Sequence, residues 1–129
     1  MNIYIASSWK NQHAVEMLTA RLRQLGHEVH SFVENNNFKH ERNIPIYEWI
    51  WSAEGQQAFE FDTSACINSD LVIYIGPSGC DAWAEVGAAW AAGTTVFGLI
   101  SKGEQIGLMR RMATWFKSVD EMIDAIEAN

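Results

Sequence analysis

One carboxylate stands out in the sequence because its neighbours are small and apolar. Glu85 lies in the segment Ala84–Ala89, and all the remaining residues of this segment are Ala, Val or Gly. Burying a carboxylate costs free energy unless hydrogen-bond donors surround it, so proteins keep such a group mainly where it has a function. The alternative is a glutamate in the first turn of a helix, which the helix dipole favours and which faces water. The residue types alone support both interpretations equally.

Two polar loops are predicted to lie beside Glu85. The first, Ala6–Asn11, follows the opening apolar segment, and the second, Gly76–Asp81, leads straight into the helix that carries Glu85. In an open parallel sheet, ligands bind beyond the carboxyl ends of the strands, where the strand order reverses. We therefore expect substrate contacts from both loops, with these candidates: Ser7, Ser8, Trp9, Ser78, Gly79 and Asp81.

Short apolar segments alternate with helical patterns along the chain, which is typical of an α/β domain with a parallel sheet. The predicted strands are Ile3–Ala6, Glu28–Phe32, Leu71–Ile75, Thr95–Ile100 and Thr114–Phe116. The continuous apolar composition of Leu71–Ile75 is typical of a central strand that is buried on both faces. The sequence thus predicts a single domain over residues 1–129, a three-layer α/β sandwich around a flavodoxin/Rossmann-like, parallel, five-stranded sheet.

Residues with known preferences for helix ends mark the predicted helices. Asn11–Leu25 has apolar residues at helical spacing and is followed by Gly26, a typical helix-ending residue. A second helix, Ala82–Ala92, is expected to end at Gly93. Ser118, with Glu121 three residues later, forms a capping-box pattern at the start of the last helix.

The segment between the second strand and the central strand has an unusual composition. Glu34–Pro45 is polar and rich in turn-forming residues, which predicts a surface loop or a lid. Several aromatic residues follow it, namely Tyr47, Trp49, Trp51, Phe59 and Phe61. Core packing beneath a long loop is the favoured interpretation of these rings. The alternative is that one or two of them form the wall of a pocket for a flat ligand, since aromatic rings stack on bases.

Composition and charge exclude several classes of protein. The 129 residues include 9 Lys and Arg against 16 Asp and Glu, a net charge of −7, whereas a general nucleic-acid binder needs a basic surface. No apolar stretch approaches the roughly 20 residues of a membrane span, and the first residues do not resemble a signal peptide. Cys66 and Cys80 lack the density of a secreted disulfide framework. We expect a cytoplasmic protein that binds neither nucleic acid nor membrane.

The chain shows no pattern that predicts a metal site or a cofactor. The segment His27–His30 is not an H-E-x-x-H motif, and residues three apart in a strand face opposite sides. Cys80 precedes a helix, where the dipole can lower a thiol pKa, but a nucleophilic pair would need His13 or His40 nearby. A small residue in a tight loop is the favoured interpretation of Cys80. We therefore predict neither a metal nor a cofactor.

Large aromatic residues also predict self-association. Trp49, Trp51, Trp90 and Trp115 present more aromatic surface than a chain of this length readily buries. Exposed apolar patches commonly mark interfaces, so a homo-oligomer, a dimer or larger, is expected.

Four features in a fixed order suggest a family. They are the opening segment Ile3–Trp9, the aspartates Asp62 and Asp70 before the central strand, the E-x-G-x-A segment Glu85–Ala89, and the turn Ala91–Val96. Together they resemble the nucleoside 2-deoxyribosyltransferases and their small N-glycosidase relatives. The resemblance covers roughly residues 3–100 and is loose over residues 30–60. No single motif is specific; the order and spacing of all four carry the resemblance.

The resemblance implies an enzyme that cleaves or exchanges the N-glycosidic bond of a (deoxy)nucleoside or nucleotide. It implies that Glu85 is the nucleophile of a covalent glycosyl-enzyme, that Asp62 touches the base and donates a proton, and that Tyr4 orients Glu85 through its phenol. An acceptor base or water would then attack from the face that the first base left, so the configuration is retained. The implied partner is a small nucleoside or nucleotide.

The sequence departs from the family pattern at one position. The family often has an Asp or Ser six positions before the catalytic Glu, where this chain has Gly79 between Ser78 and Asp81. Asp81 would repel a phosphate, whereas a helix N-terminus attracts anions, so the choice between nucleoside and nucleotide stays open. Gly79 also favours an alternative function, a non-catalytic module of the same fold that binds a nucleotide or nucleotide-derived signal.

Overall fold

The computed structural model describes residues 1–35, 44–105 and 107–128. Within these ranges the elements are β1 (Asn2–Ala6), α1 (Gln12–Gln24), β2 (Glu28–Ser31), α2 (Phe32–Asn35), α3 (Ile46–Ile50), α4 (Ala53–Ile67), β3 (Leu71–Ile75), α5 (Cys80–Ala91), β4 (Thr95–Leu99), β5 (Thr114–Phe116) and α6 (Val119–Glu127). Short 3-10 turns precede α1 at Trp9–Asn11 and β5 at Leu108–Met112.

The five strands form one sheet in which every neighbouring pair is parallel. Their order is β2-β1-β3-β4-β5, so β3 is central and all five of its residues are buried. The predicted parallel five-stranded sheet is confirmed, with Thr114–Phe116 at an edge. The chain leaves β1 for β2 and then returns past β1 to β3, so the strand order reverses between β1 and β3. This reversal fixes the place where a ligand is expected.

Helices cover both faces of the sheet, which confirms the predicted three layers. On one face, apolar side chains of β1, such as Ile3 and Ile5, pack with residues of α1 and α6. On the other face, Tyr4 and Ala6 of β1 pack with residues of α4 and α5. Successive strand residues point to opposite faces, which is why one continuous apolar strand can serve both layers.

The predicted helix ends are present. Gly26 and Gly93 follow α1 and α5 with φ values of 95° and 86°, in the left-handed region that favours glycine. Ser118 accepts a hydrogen bond of 3.1 Å from the backbone N–H of Glu121 at the start of α6. Substitution of such a capping serine by alanine costs about 1 kcal/mol in typical helices.

The second strand and the long polar segment differ from expectation. The predicted strand Glu28–Phe32 ends at Ser31, because Phe32 begins α2 and its ring packs edge-on against Trp9 at 5.0 Å. The segment Glu34–Pro45, predicted as a loop or lid, falls mostly on residues 36–43, which lie outside the described residues. Its first residue, Glu34, forms a 2.6 Å ion pair with Arg23.

The prediction that the aromatic residues after this segment pack in the core is wrong for three of them. Tyr47, Trp51 and Phe59 are 77%, 84% and 63% exposed. Phe61, by contrast, is half-buried on α4 and makes an edge-on contact with His30, with ring centroids 6.3 Å apart. Helix α3 packs against α4 without burying any of its own residues, so Tyr47 and Trp51 stay in contact with solvent.

None of the helices in residues 1–35, 44–105 and 107–128 combines the length and the apolar character that crossing a bilayer demands.

The exposed rings generate a prediction about assembly. Trp51 and Trp90 are largely exposed, whereas Trp49 and Trp115 are half-buried, so the apolar surface centres on the first two. We expect the chain to form a dimer or larger assembly, and Trp51→Glu to shift it towards monomer, because exposed aromatic area drives association. Light scattering at high micromolar concentration measures this, and a wild-type monomer there contradicts the prediction.

Two glycines with opposite surroundings test the packing of the second layer. A Cβ on Gly98 would lie 2.7 Å from the ring of Trp115, whereas a Cβ on Gly87 in α5 would meet nothing within 4 Å. Gly98→Ala should lower the free energy of unfolding by about 1–3 kcal/mol, as overpacking does. Gly87→Ala should raise it by roughly 0.5–1 kcal/mol through helix propensity. Urea unfolding of both variants measures the two effects; equal changes of one sign would contradict this account.

Candidate functional site

A tyrosine and a glutamate meet where α5 crosses the sheet. Tyr4 is fully buried on β1 and points to the face covered by α4 and α5. Its phenol donates a hydrogen bond of 2.5 Å to Oε2 of Glu85, which is half-buried on α5. Ala82, Val86 and Ala89 form the face of α5 that packs on the sheet, and their small size lets the helix approach closely. Glu85 lies beside this face, not on the solvent side.

Helix α4 completes the surroundings of the pair. Asp62 and Cys66 are four residues apart on α4, so they occupy the same face of that helix. Cys66 is fully buried, and its thiol donates a hydrogen bond of 3.1 Å to the backbone carbonyl of Glu85. Asp62 is half-buried, and its charge acts on Tyr4, Cys66 and Glu85. The structure therefore brings together the three residues predicted to be catalytic.

Burial and mutual charge shift the pKa values of these groups. The pKa of Glu85 is raised to about 8; burial is the main cause, the hydrogen bond from Tyr4 opposes it, and the charges of Asp62 and Asp81 add to it. Burial, followed by the charges of Glu85 and Asp62, raises the pKa of the Tyr4 phenol far above its ordinary value. Tyr4 therefore stays a hydrogen-bond donor at any physiological pH. Clustered groups with shifted pKa values are common at functional sites.

The two loops predicted to meet are joined by hydrogen bonds. Ser7 Oγ, which is buried, donates a 2.7 Å hydrogen bond to the carbonyl of Ile75 at the end of β3. The amide of Asn11 donates to Ser7 Oγ and to the carbonyl of Pro77, each at 3.1 Å. These bonds fix the loop after β1 to the loop after β3. Ser7 thus has a structural use, and its predicted contact with substrate stays a prediction.

The candidates in the second loop surround the start of α5. Ser78 Oγ donates to the carbonyl of Ile75 at 2.8 Å, and its N–H donates to the phenol of Tyr74 at 3.1 Å. Gly79 is the exposed residue that precedes α5, and no side chain caps the helix there. Asp81 is exposed in the first turn, one turn before Glu85. All three lie at the carboxyl edge of the sheet, as predicted.

Three other residues singled out from the sequence, Trp9, Ser8 and Asp70, have surroundings different from those of the loop residues above. Trp9 packs against Phe32 in the layer of α1 and α6, away from Glu85, because the 3-10 turn directs its ring to that side. Ser8 Oγ is buried and has no hydrogen-bond partner among the described residues. Asp70 accepts a 2.8 Å hydrogen bond from the N–H of Asn2, at the other end of the sheet. Asp70 therefore has a structural role at that end and does not join Tyr4, Asp62 and Glu85.

A cleft of about 340 Å³ adjoins the start of α5. The sequence analysis did not predict its acidic lining residue, Glu104. Its lining residues are Lys10, Pro77, Ser78, Gly79, Cys80, Trp83, Gly103, Glu104 and Gln105. Glu104 follows β4, and every strand of a parallel sheet ends at the same edge. The loops after β1 and β3 were chosen because they follow the carboxyl ends of strands. The same rule, applied to the loop after β4, would have identified Glu104.

The residues considered and rejected as metal or thiol sites have other partners. His27 contacts the N-terminal amine at 3.1 Å and Glu127 at 3.0 Å, whereas His30 contacts Glu28 at 2.9 Å. The described ranges contain no group of three or more potential metal ligands. Cys80 is exposed, and its thiol lies 3.7 Å from a carboxylate oxygen of Asp81.

Solved structures resemble this fold. A 2-deoxyribosyltransferase from Bacillus psychrosaccharolyticus superposes with a TM-score of 0.72 at 24% identity, covering 93% of this chain and 88% of that one. A CMP N-glycosidase, BcmB, from Clostridium botulinum has a TM-score of 0.60 at 17% identity, covering 97% of both chains. A conserved protein from Enterococcus faecalis V583 has a TM-score of 0.54 at 20% identity, covering 97% of this chain and 73% of that one.

Sequence comparison is less informative. No protein-family model matches the chain, and no curated protein matches it significantly. The structural likeness confirms the flavodoxin-like α/β fold, and two of the proteins that share it are named for nucleoside or nucleotide chemistry. At these sequence identities the structural likeness concerns the fold alone, because proteins that share a fold can differ in activity.

The buried Glu85 carboxyl predicts an unusual dependence of stability on pH. Between its ordinary pKa of 4.5 and its folded value of about 8, the folded chain keeps a proton that the unfolded chain has lost. The free energy of unfolding should therefore fall as the pH rises through this window. Glu85→Gln should remove this fall and be more stable than wild type by a few kcal/mol above about pH 8.

Urea unfolding at several pH values between about 5 and 9 measures this dependence. Glu121→Gln, which removes an exposed carboxylate on α6, is the control and should follow the wild type. A Glu85→Gln curve parallel to that of the wild type would show that Glu85 titrates normally.

Proposed function

We propose that the chain is an enzyme that cleaves or exchanges the N-glycosidic bond of a nucleoside or nucleotide through a covalent glycosyl-glutamate intermediate. The observation that carries the proposal is the part-buried Tyr4–Glu85 hydrogen bond with Asp62 beside it, at the edge of the sheet where ligands bind in folds of this kind. The structural likeness to a 2-deoxyribosyltransferase and a CMP N-glycosidase supports it.

The first step forms a bond between Glu85 and the sugar. An oxygen of the ionised Glu85 attacks the anomeric carbon, and the bond from that carbon to the base nitrogen breaks. Asp62, in its protonated form, gives its proton to the departing base. The second step reverses this order: water or an acceptor base attacks the anomeric carbon, the ester to Glu85 breaks, and Asp62, now a carboxylate, takes the proton that the water or base releases. Two inversions give overall retention.

The surroundings of Glu85 suit this step. Its pKa of about 8 means that a substantial fraction is ionised at mildly alkaline pH. The transition state resembles an oxocarbenium cation, which the negative charges of Glu85 and Asp81 stabilise. Tyr4 leaves one oxygen of Glu85 to attack while its phenol fixes the other. The hydrogen bond thus sets the direction of attack.

Two matched variants separate the roles of the acidic residues. Glu85→Gln keeps the volume of the side chain but cannot form the ester, so base release should fall by several orders of magnitude for every substrate. Asp62→Asn should slow the release of ordinary bases by about 10²–10⁴-fold, but much less for a base that leaves without protonation. A good leaving group therefore rescues Asp62→Asn and not Glu85→Gln.

Chromatography of released base from a panel of nucleosides and their monophosphates measures these rates. Asp124→Asn on α6, which removes a carboxylate on the opposite face of the sheet, is the control. Mass spectrometry of acid-quenched enzyme should show a sugar adduct on the peptide that contains Glu85. If Glu85→Gln releases base at a near-normal rate, the alternative of a non-catalytic binding module of this fold takes first place.

A further inference from the structure

The cleft beside the start of α5 holds a carboxylate that the proposed reaction does not use. The two oxygens of Glu104 accept hydrogen bonds of 2.7 and 2.9 Å from the phenol of Tyr74, and one of them also accepts from the indole N–H of Trp83 at 3.1 Å. Its other oxygen lies directly over Gly76, where any Cβ would collide with it. Residues of β3, α5 and the loop after β3 thus fit around one half-buried carboxylate.

The cleft lies on the flank of α5 opposite Glu85. Trp83, which lines the cleft, and Glu85 are two positions apart, which separates them by about 200° around the helix. Asp62, expected to contact the base, lies on the Glu85 flank towards α4.

We propose that the 5′ end of the ribose extends across the start of α5 to this cleft, where Glu104 determines specificity by selecting a nucleoside, whose 5′ end is an uncharged hydroxyl, over a nucleoside 5′-monophosphate. This inference rests on the proposed function. A 5′-hydroxyl can donate a hydrogen bond to the carboxylate, whereas a phosphate has no proton to donate and carries like charge. Like charges brought together in a binding site oppose binding strongly.

The remaining groups of the cleft do not reverse this balance. Lys10 is the cation among the described lining residues, and it is exposed, so solvent and salt screen its charge. Ser78 and Gln105 are neutral, and Asp81, in the adjoining turn of α5, adds negative charge. The N–H groups at the start of α5 attract anions, but Glu104 is held beside them by two fixed donors. The fixed carboxylate therefore outweighs the mobile lysine.

The test compares a nucleoside with its own 5′-monophosphate. Wild type should have the higher kcat/KM for the nucleoside, and Glu104→Gln should raise the relative kcat/KM of the monophosphate by about tenfold or more. Glu104→Asp keeps the charge and should keep most of the discrimination. Added salt should weaken the discrimination of wild type and leave that of Glu104→Gln nearly unchanged, a response that a purely structural role would not produce.

Equilibrium binding makes the test independent of turnover. Quenching of tryptophan fluorescence by each compound gives its affinity, since Trp83 lines the cleft, and circular dichroism verifies that each variant is folded. Asp124→Asn removes the same charge far away and should leave the ratio of affinities unchanged. A wild type that prefers the monophosphate, or a Glu104→Gln ratio within about twofold of wild type, overturns the inference. Failure of both compounds to bind overturns the proposed function and the inference together; binding without base release overturns the reaction alone.

Discussion

A carboxylate that is largely removed from water must be compensated, and the second layer of this fold is arranged around that requirement. Glu85 receives one hydrogen bond from Tyr4, which lowers its pKa, yet burial still raises the pKa to about 8. One neutral donor replaces only part of the lost hydration. Its position therefore depends on the packing of α5 against the sheet, which is tight because Ala82 and Ala89 are small. A larger residue at either position would move the helix and the carboxylate together.

The parallel sheet converts this local arrangement into a site. Because β1 and β3 are neighbours, Tyr4 on one strand and the helix that follows the other meet at one edge. Ser7 and Asn11 tie the two loops at that edge to each other and to the carbonyl of Ile75. The residues proposed to react thus lie on two helices and a strand, and hydrogen bonds between the loops hold these elements together. Sites on regular elements are held more closely than sites on loops.

The periodicity of apolar residues and the residue types at helix ends were enough to predict the sheet and most helix ends. Strands and helix ends depend on short stretches of chain, so a local pattern can indicate them. The apolar segment Leu71–Ile75 is a central strand for the reason its composition suggests. The prediction that Tyr4, Asp62 and Glu85 act together came from the family resemblance. Tyr4 and Glu85 are 81 positions apart, and no local pattern of the sequence indicates a contact over that distance.

Local patterns failed where tertiary contacts decide. The position of Trp9 depends on Phe32, which starts a helix that periodicity did not show. The exposure of Trp51 depends on where α3 packs against α4, and composition carries no information about that. Glu104 can lie beside Tyr74, 30 positions earlier in the chain, because Gly76 has no side chain there.

The concentration of carboxylates has opposite effects on the resting chain and on a reacting substrate. Asp62 and Asp81 raise the pKa of Glu85, so at neutral pH they disfavour the ionised form that a nucleophile needs. In the proposed reaction a developing oxocarbenium cation makes the negative charges of Glu85 and Asp81 favourable, because each then stabilises the sugar. Negative charge that destabilises the empty site thus stabilises the transition state. An interaction that is stronger in the transition state than in the ground state is the kind that accelerates a reaction. The same charges oppose the binding of a second anion, so the proposed reaction and the proposed preference for an uncharged 5′ end both depend on the acidity of this site.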